Sequence, residues 1–229
     1  MRYLMLALVA CGSSSAAPIA DQPSIQPSIA IEKATDLCVT RGDIADRAIT
    51  QPTVRAFARS AGGDAAQLAF TYRGDADTSR ALANGQARRQ VGLKLRAEDG
   101  CNVIYVMWRL DPKPKLDVSI KRNPGKRTHE ECGAEGYTKV RAAHSTPVPA
   151  LAAGDAHTLR AEIVGDTLTA WIDGHVAWRG TLPDEARALS GPAGLRTDNM
   201  ALDHVELSAP KPKDHHLEGP ACKRHEHEE

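Results

Sequence analysis

A chain of 229 residues allows one domain with appendages or two small ones. Apolar residues make up 41% of it and charged residues 25%, a globular composition rather than a disordered or fibrous one. Lysine plus arginine and aspartate plus glutamate balance at 29 each, so no global field draws in nucleic acid or an anionic membrane.

The chain opens with one basic residue, Arg2, then the apolar run Tyr3–Ala10, then Cys11-Gly12. A short basic start, a short apolar core and a small residue before a cysteine resemble a bacterial lipoprotein signal. The resemblance implies export, cleavage after residue 10 and a lipid on the Cys11 thiol. An ordinary secretory leader or a buried apolar strand is the plainer alternative. Gly12, rather than aspartate, after the cysteine implies delivery to an outer membrane. The Cys11 lipid is then the expected membrane contact, since no apolar run reaches the ~20 residues of a spanning helix. Residues 11–35 are rich in Ser, Ala, Pro and Gln, and Gln22-Pro23-Ser24-Ile25 recurs as Gln26-Pro27-Ser28-Ile29. So little apolar surface cannot offset ordering entropy, which predicts a flexible tether.

The domain is expected over 36–209. Thr53–Ala58 and Ala66–Tyr72 read as strands. Val91, Leu93 and Leu95 alternate with Gly92, Lys94 and Arg96, the period of a half-buried strand. The run Cys101–Leu110 is apolar on both faces and is expected at the centre of a sheet. After the break at Asp111-Pro112, Leu116, Val118 and Ile120 alternate again, completing a three-stranded meander. A loop with basic residues first (Lys121, Arg122, Lys126, Arg127) and acidic ones later (Glu130, Glu131) follows, and Tyr137–Ala143 can return as a strand. The cationic cluster could meet an acidic glycan or a phosphate; an ordinary solvated loop is the simpler reading.

From His157 to Arg179 the pattern is three antiparallel strands. Gly165-Asp166 and Asp173-Gly174 supply the turns, because both pairs tolerate the positive φ of tight hairpins. With Gly191-Pro192-Ala193-Gly194-Leu195-Arg196 and a closing strand near Ala201–Leu207, this order resembles the C-terminal half of concanavalin-A-like (laminin-G-like) jelly-roll domains. The resemblance implies an all-β sandwich of two antiparallel sheets. It does not fix an activity, since lectins, glycosidases and adhesion modules share the fold. Residues 210–229 form a polar tail with His215, His216, Cys222, His225 and His227, expected to be solvated rather than a metal site.

Setting Cys11 aside leaves four cysteines, an even count in an exported chain, and hence two expected disulfides. If Cys101–Leu110 pairs antiparallel with Leu116–Arg122, Cys101 lies beside the 123–135 loop, where Cys132 can reach it. Cys38 opens the domain and Cys222 follows its last strand, so Cys38–Cys222 would join the ends. Zinc on these thiols is the lesser alternative, since no Cys-x-x-Cys pair is present.

Jelly-roll glycosidases carry acidic residues in an E-x-D-x-E or E-x-D-x-x-E pattern on one strand, and the sequence has none. Asp203 and Glu206 have opposite parity and are expected on opposite faces. No G-x-S-x-G, H-E-x-x-H or phosphate-loop motif occurs, so no catalytic residue, metal or cofactor is assigned. A two-residue turn at Asp173-Gly174 instead aims Trp171 and Trp178 away from Leu168, Ala170 and Ile172, onto the face of Arg160 and Glu162. Such a pair resembles the stacking platforms of carbohydrate-binding modules. Coverage by another part of the chain is the alternative, and a bulge would bury the pair. The reading is an envelope lipoprotein with a non-catalytic module for a polysaccharide or envelope glycan. A glycan hydrolase without the usual motif and a structural lipoprotein with no small ligand stand behind it.

Overall fold

A computed structural model describes residues 25–212 as fourteen strands with two short helical turns. In chain order the first seven strands are β1 (Glu32–Lys33), β2 (Leu37–Arg41), β3 (Thr53–Ala58), β4 (Ala65–Asp75), β5 (Gln90–Leu95), β6 (Val103–Arg109) and β7 (Lys115–Lys121). The single-turn helix α1 (His129–Cys132) leads into β8 (Tyr137–Lys139) and β9 (His144–Ser145). The rest are β10 (Ala156–Val164), β11 (Thr167–Ile172), β12 (His175–Thr181), β13 (Gly194–Asp198) and β14 (Met200–Ala209).

The strands divide equally into two antiparallel sheets packed face to face. The front sheet is ordered β2-β3-β13-β5-β6-β7-β8 and the back sheet β1-β14-β4-β10-β11-β12-β9. This is the all-β jelly-roll sandwich of two antiparallel sheets that the sequence pattern implies. The expected meander is β5-β6-β7, and β10-β11-β12 is the expected C-terminal triplet. Strand alternation supplies the inner face of each sheet. From the front come Val54, Ala56, Leu93, Ile104, Val106, Trp108, Val118, Ile120 and Leu195; from the back come Leu68, Phe70, Leu159, Ala161, Leu168, Ala170 and Leu202, all buried in one cluster. Fully burying the valine, leucine, isoleucine and phenylalanine side chains among them contributes about 1.5–3 kcal/mol each, which is the main opposition to chain entropy.

Two bulges decide where functional-looking residues point. In the β11–β12 hairpin Trp171 pairs with Val176, but Ala170 pairs with Trp178, so Ala177 is an extra residue. The parity of β12 inverts there. Trp178 therefore lies in the core at 2% exposure rather than on the outer face, a correction to the sequence expectation. Gly180 makes room for it: a Cβ at Gly180 would stand 2.5 Å from the Trp178 ring. In β14 the register slips between Asp203 and Glu206, at His204 with φ +50°. Asp203 and Glu206 thus share the exposed side, where they pair with Arg73 and Lys33, instead of facing opposite ways.

Of the expected tether 11–35, residues 25–35 are docked on the domain, and 11–24 lie outside the described residues. From Ile25 onward the chain is laid across the outer face of the back sheet as a strap. Ser28 and Ile29 donate their backbone N–H groups to Glu162 at 2.8 and 3.2 Å, and Arg160 Nη2 donates to the Ile29 carbonyl at 2.6 Å. Trp171 Nε1 donates to the Ile25 carbonyl at 2.9 Å. β1 then joins the sheet edge beside β14. Cys101 and Cys132 form the expected disulfide, with Cα atoms 6.0 Å apart. Cys38 is disulfide-bonded; its expected partner Cys222 lies outside the described residues, as do Cys11, Gly12 and the tail histidines.

Candidate functional site

The structure does not leave the expected tryptophan platform open. Trp178 is in the core, Trp171 is 2% exposed beneath the strap, and Arg160 and Glu162 are committed to the strap and to each other, 2.5 Å apart. A buried carboxylate needs donors, and Glu162 finds them in backbone N–H groups that no other strand pairs.

The outer face of the front sheet is different. It forms a groove of about 1940 Å³ that crosses β3, β13, β5, β6 and β7. Its floor consists of the residues that alternate with the core set, which is why polar and charged side chains converge there. Arg55 on β3 is opposite Arg196 on β13, and Arg196 is opposite Gly92 on β5. Gly92 is opposite Met107 on β6, and Met107 is opposite Asp117 on β7. One rung over, Lys94 on β5 pairs with Tyr105 on β6, and Tyr105 with Ser119 on β7. Gly92 is needed for closeness, since a Cβ there would meet the Val106 carbonyl at 2.1 Å and Met107 Sδ at 2.7 Å.

Asp198 is the hub of the floor. It accepts from Arg55 Nη2 at 2.5 Å, Arg196 Nε at 2.8 Å and Gln90 Nε2 at 2.6 Å. Burial alone would raise its carboxyl, but Arg55 and Arg196 outweigh that and hold it below the usual carboxylate range. Asp117 follows the same logic: burial pushes it up, and ion pairs with Arg109, Lys115 and Lys139 at 2.8–3.3 Å pull it below. Neither carboxylate can carry a proton near neutral pH, so neither suits a general acid.

Lys94 contrasts with both. It is 3% exposed, and among the described residues its ammonium has no ion-pair or hydrogen-bond partner. Burial, reinforced by Arg55 and Arg196, lowers its pKa to about 7. Tyr105 beside it is pushed up to about 12, by burial first and then by Tyr137. The Arg196 guanidinium lies 5.0 Å from the centre of the Tyr105 ring, and Tyr137 stacks on Tyr105 at 6.1 Å. Tyr137 remains 45% exposed on the groove wall.

Both walls are fixed in place. On one side Asn102 Nδ2 donates to Asp99 and to the Lys126 carbonyl, while Asn123 donates to Asn102 Oδ1 and the Cys101 carbonyl. The disulfide and Lys121, whose Nζ donates to the Gly133 carbonyl at 2.8 Å, tie the 122–136 segment to this network. Burial, with help from Arg196, brings Lys121 down to about 8. On the other side Asn199 accepts from Arg80 N–H and donates to the Arg80 and Arg88 carbonyls, holding the 80–89 segment. The chain therefore presents a preorganised polar recess with an aromatic face. Among the described residues no group of three His, Cys, Asp or Glu is assembled for a metal, and no helix is long and apolar enough to cross a membrane.

Sequence reasoning did not single out Arg55, Lys94, Tyr105, Tyr137, Arg196 or Asp198 as a site. The signal was present in part, as Lys94 between Leu93 and Leu95 and as Arg196 in the Gly194-Leu195-Arg196 motif.

No family model matches the sequence, and no curated protein matches it. Solved structures do. A carbohydrate-binding module, CBM66, from Bacillus subtilis superposes with a TM-score of 0.52 at 14% identity, over 75% of this chain and 94% of the module. A tetrameric galectin from the ball sponge Cinachyrella sp. gives 0.40 at 15% identity, over 74% of this chain and 96% of the galectin. A GH43 protein from Bacillus licheniformis gives 0.39 at 13% identity, over 76% of this chain and 32% of that one. At these identities the likeness is one of fold.

Proposed function

We propose that this chain is a glycan-binding module of the cell envelope, held by a lipid on Cys11, and that the front-sheet groove is its binding face. The observation that carries the reading is the groove floor. Arg55, Arg196, Asp198, Gln90 and Tyr105 are locked by one another, so their donors and the Tyr137 ring are preset before any ligand arrives. Sugars need fixed polar groups for hydroxyls and an aromatic face for their C–H side, and both stand in one recess. The jelly roll shared with CBM66 from Bacillus subtilis supports glycan binding in general.

The strap supports the anchored arrangement. It docks residues 25–29 on the back sheet, the face opposite the groove, so the chain leading from Cys11 reaches the domain away from the binding face. The Cys101–Cys132 disulfide supports an oxidising, exported location, and Gly12 the outer membrane as the destination.

A glycan array probed with the full-length protein and with Tyr137→Ala tests the binding face. We expect the substitution to weaken binding by on the order of 1–2 kcal/mol. Retention of full affinity by Tyr137→Ala would remove the groove from consideration. Palmitate labelling that persists in Cys11→Ser would end the lipid-anchor reading.

A further inference from the structure

The chain is neutral as a whole, with 29 charges of each sign, yet the groove is not. Twelve lysine and arginine side chains line it against five carboxylates. The segregation is sharpest on the floor. Arg55 and Arg196 face each other across β3 and β13, and both lean on the single carboxylate of Asp198. Lys94 stands one rung away on β5, among the lining groups of the groove, with no carboxylate of its own. An unpaired ammonium on a stem this deeply buried, with little access to water, is costly and is ordinarily neutralised or paired. Here it is flanked by two guanidiniums that make matters worse, an arrangement that a bound anion would relieve.

We infer that the groove takes an acidic glycan, seating a carboxylate or a sulfate or phosphate ester of the sugar against Lys94, Arg55 and Arg196. The inference rests on the glycan-binding reading above and adds the class of sugar. The chemistry fits on three counts. Guanidinium pairs bind planar or tetrahedral oxyanions through several N–H groups at once. A cation-lined cleft with low-dielectric walls concentrates anions and speeds their capture. Tyr137, exposed on the wall, gives a sugar ring a surface to stack on, which an acidic polypeptide would not use in the same way. Lys94 also faces Asp99 from the loop after β5 and the Tyr105 phenol on β6; neither pairs with its ammonium.

The test is calorimetric titration of the purified full-length protein at constant ionic strength with polygalacturonate, dextran sulfate, neutral dextran and poly-L-glutamate. We expect at least one of the two acidic polysaccharides to bind at least tenfold more tightly than dextran and poly-L-glutamate. Binding of polygalacturonate identifies the anion as a carboxylate; binding of dextran sulfate alone identifies it as an ester. Lys94→Met should lower that affinity at least tenfold, with a melting temperature no lower than wild type. Arg73→Met, on an exposed part of the back sheet, should leave it unchanged. Equal loss in both variants would mean diffuse attraction and would overturn the inference, as would poly-L-glutamate binding as tightly as the polysaccharides. If a neutral array glycan binds and Lys94→Met leaves that binding intact, the acidic class falls while the glycan reading stands. If no glycan of either kind binds, both fall.

Discussion

The two outer faces of this sandwich began with similar material and ended with opposite fates. The back sheet carries an arginine, a glutamate and a tryptophan on adjoining positions, and the chain's own strap covers all three. The front sheet carries more charge, with Tyr105 and Tyr137 in place of an indole, and nothing among the described residues lies across its groove. An indole on an outer face is costly in water and is readily claimed by any nearby segment with a free carbonyl. The front floor, where Arg55 and Arg196 share Asp198 and Lys94 has no carboxylate, offers a neutral segment no such gain, and it stays available for an anionic ligand. Exposure of an aromatic is thus a property of the whole chain, not of the strand that bears it.

The sharpest way to break this contrast is through the core. Trp178→Ala should cost about 3–5 kcal/mol of stability, because the bulge at Ala177 puts the ring against Ala170 and Gly180. A thermal melt close to wild type would return Trp178 to the surface. Cys101→Ser with Cys132→Ser should cost roughly 3–4 kcal/mol on the chain-entropy view. It should also weaken glycan binding, since the bridge holds a groove wall; stability loss with unchanged affinity would separate the wall from the site.

Smaller effects distinguish strap from groove. Glu162→Ala removes the acceptor for Ser28, Ile29 and Arg160 and should destabilise by about 1–3 kcal/mol. Limited proteolysis should then cut near residue 28 without altering glycan affinity. Lys94→Met should stabilise instead. The Lys94 ammonium has a folded pKa of about 7 against an ordinary 10.5. Between those values the unfolded chain binds more protons, so wild-type stability rises with pH across that window. The gain from Lys94→Met should therefore be largest below pH 7, on the order of 1–4 kcal/mol, and vanish as pH approaches 10.5. A gain that does not depend on pH would contradict this account of Lys94. Tyr137→Ala should change stability least, within ~0.5 kcal/mol for an exposed side chain, and affect binding alone.

The fold was legible because alternation and turn chemistry are local. Leu159, Ala161 and Ile163, the Asp173-Gly174 turn and the Leu116–Ile120 alternation each predicted a strand or hairpin that is present. Cys101–Cys132 was legible for the same reason, as it closes the loop beyond one hairpin. Parity readings failed at Ala177 and His204, where a bulge inverts the rule and no residue type marks it beforehand. The groove was hidden by topology. Arg55, Arg196 and Lys94 each alternate visibly with apolar neighbours, but β3, β13 and β5 are far apart in sequence and adjacent only in the sheet. The strap was hidden by composition, since Gln-Pro-Ser-Ile repeats look like linker until a carboxylate and an indole on another strand supply their partners.

The central claim is that ligand meets the front sheet and not the back. Amide chemical shifts of the labelled full-length protein, titrated with the tightest glycan found on the array, test it directly. The account predicts that the large changes fall on Lys94, Tyr105, Tyr137 and Arg196, with Ser28, Ile29, Arg160 and Trp171 unmoved. Changes centred on Trp171 and the strap, with the groove residues still, would contradict it.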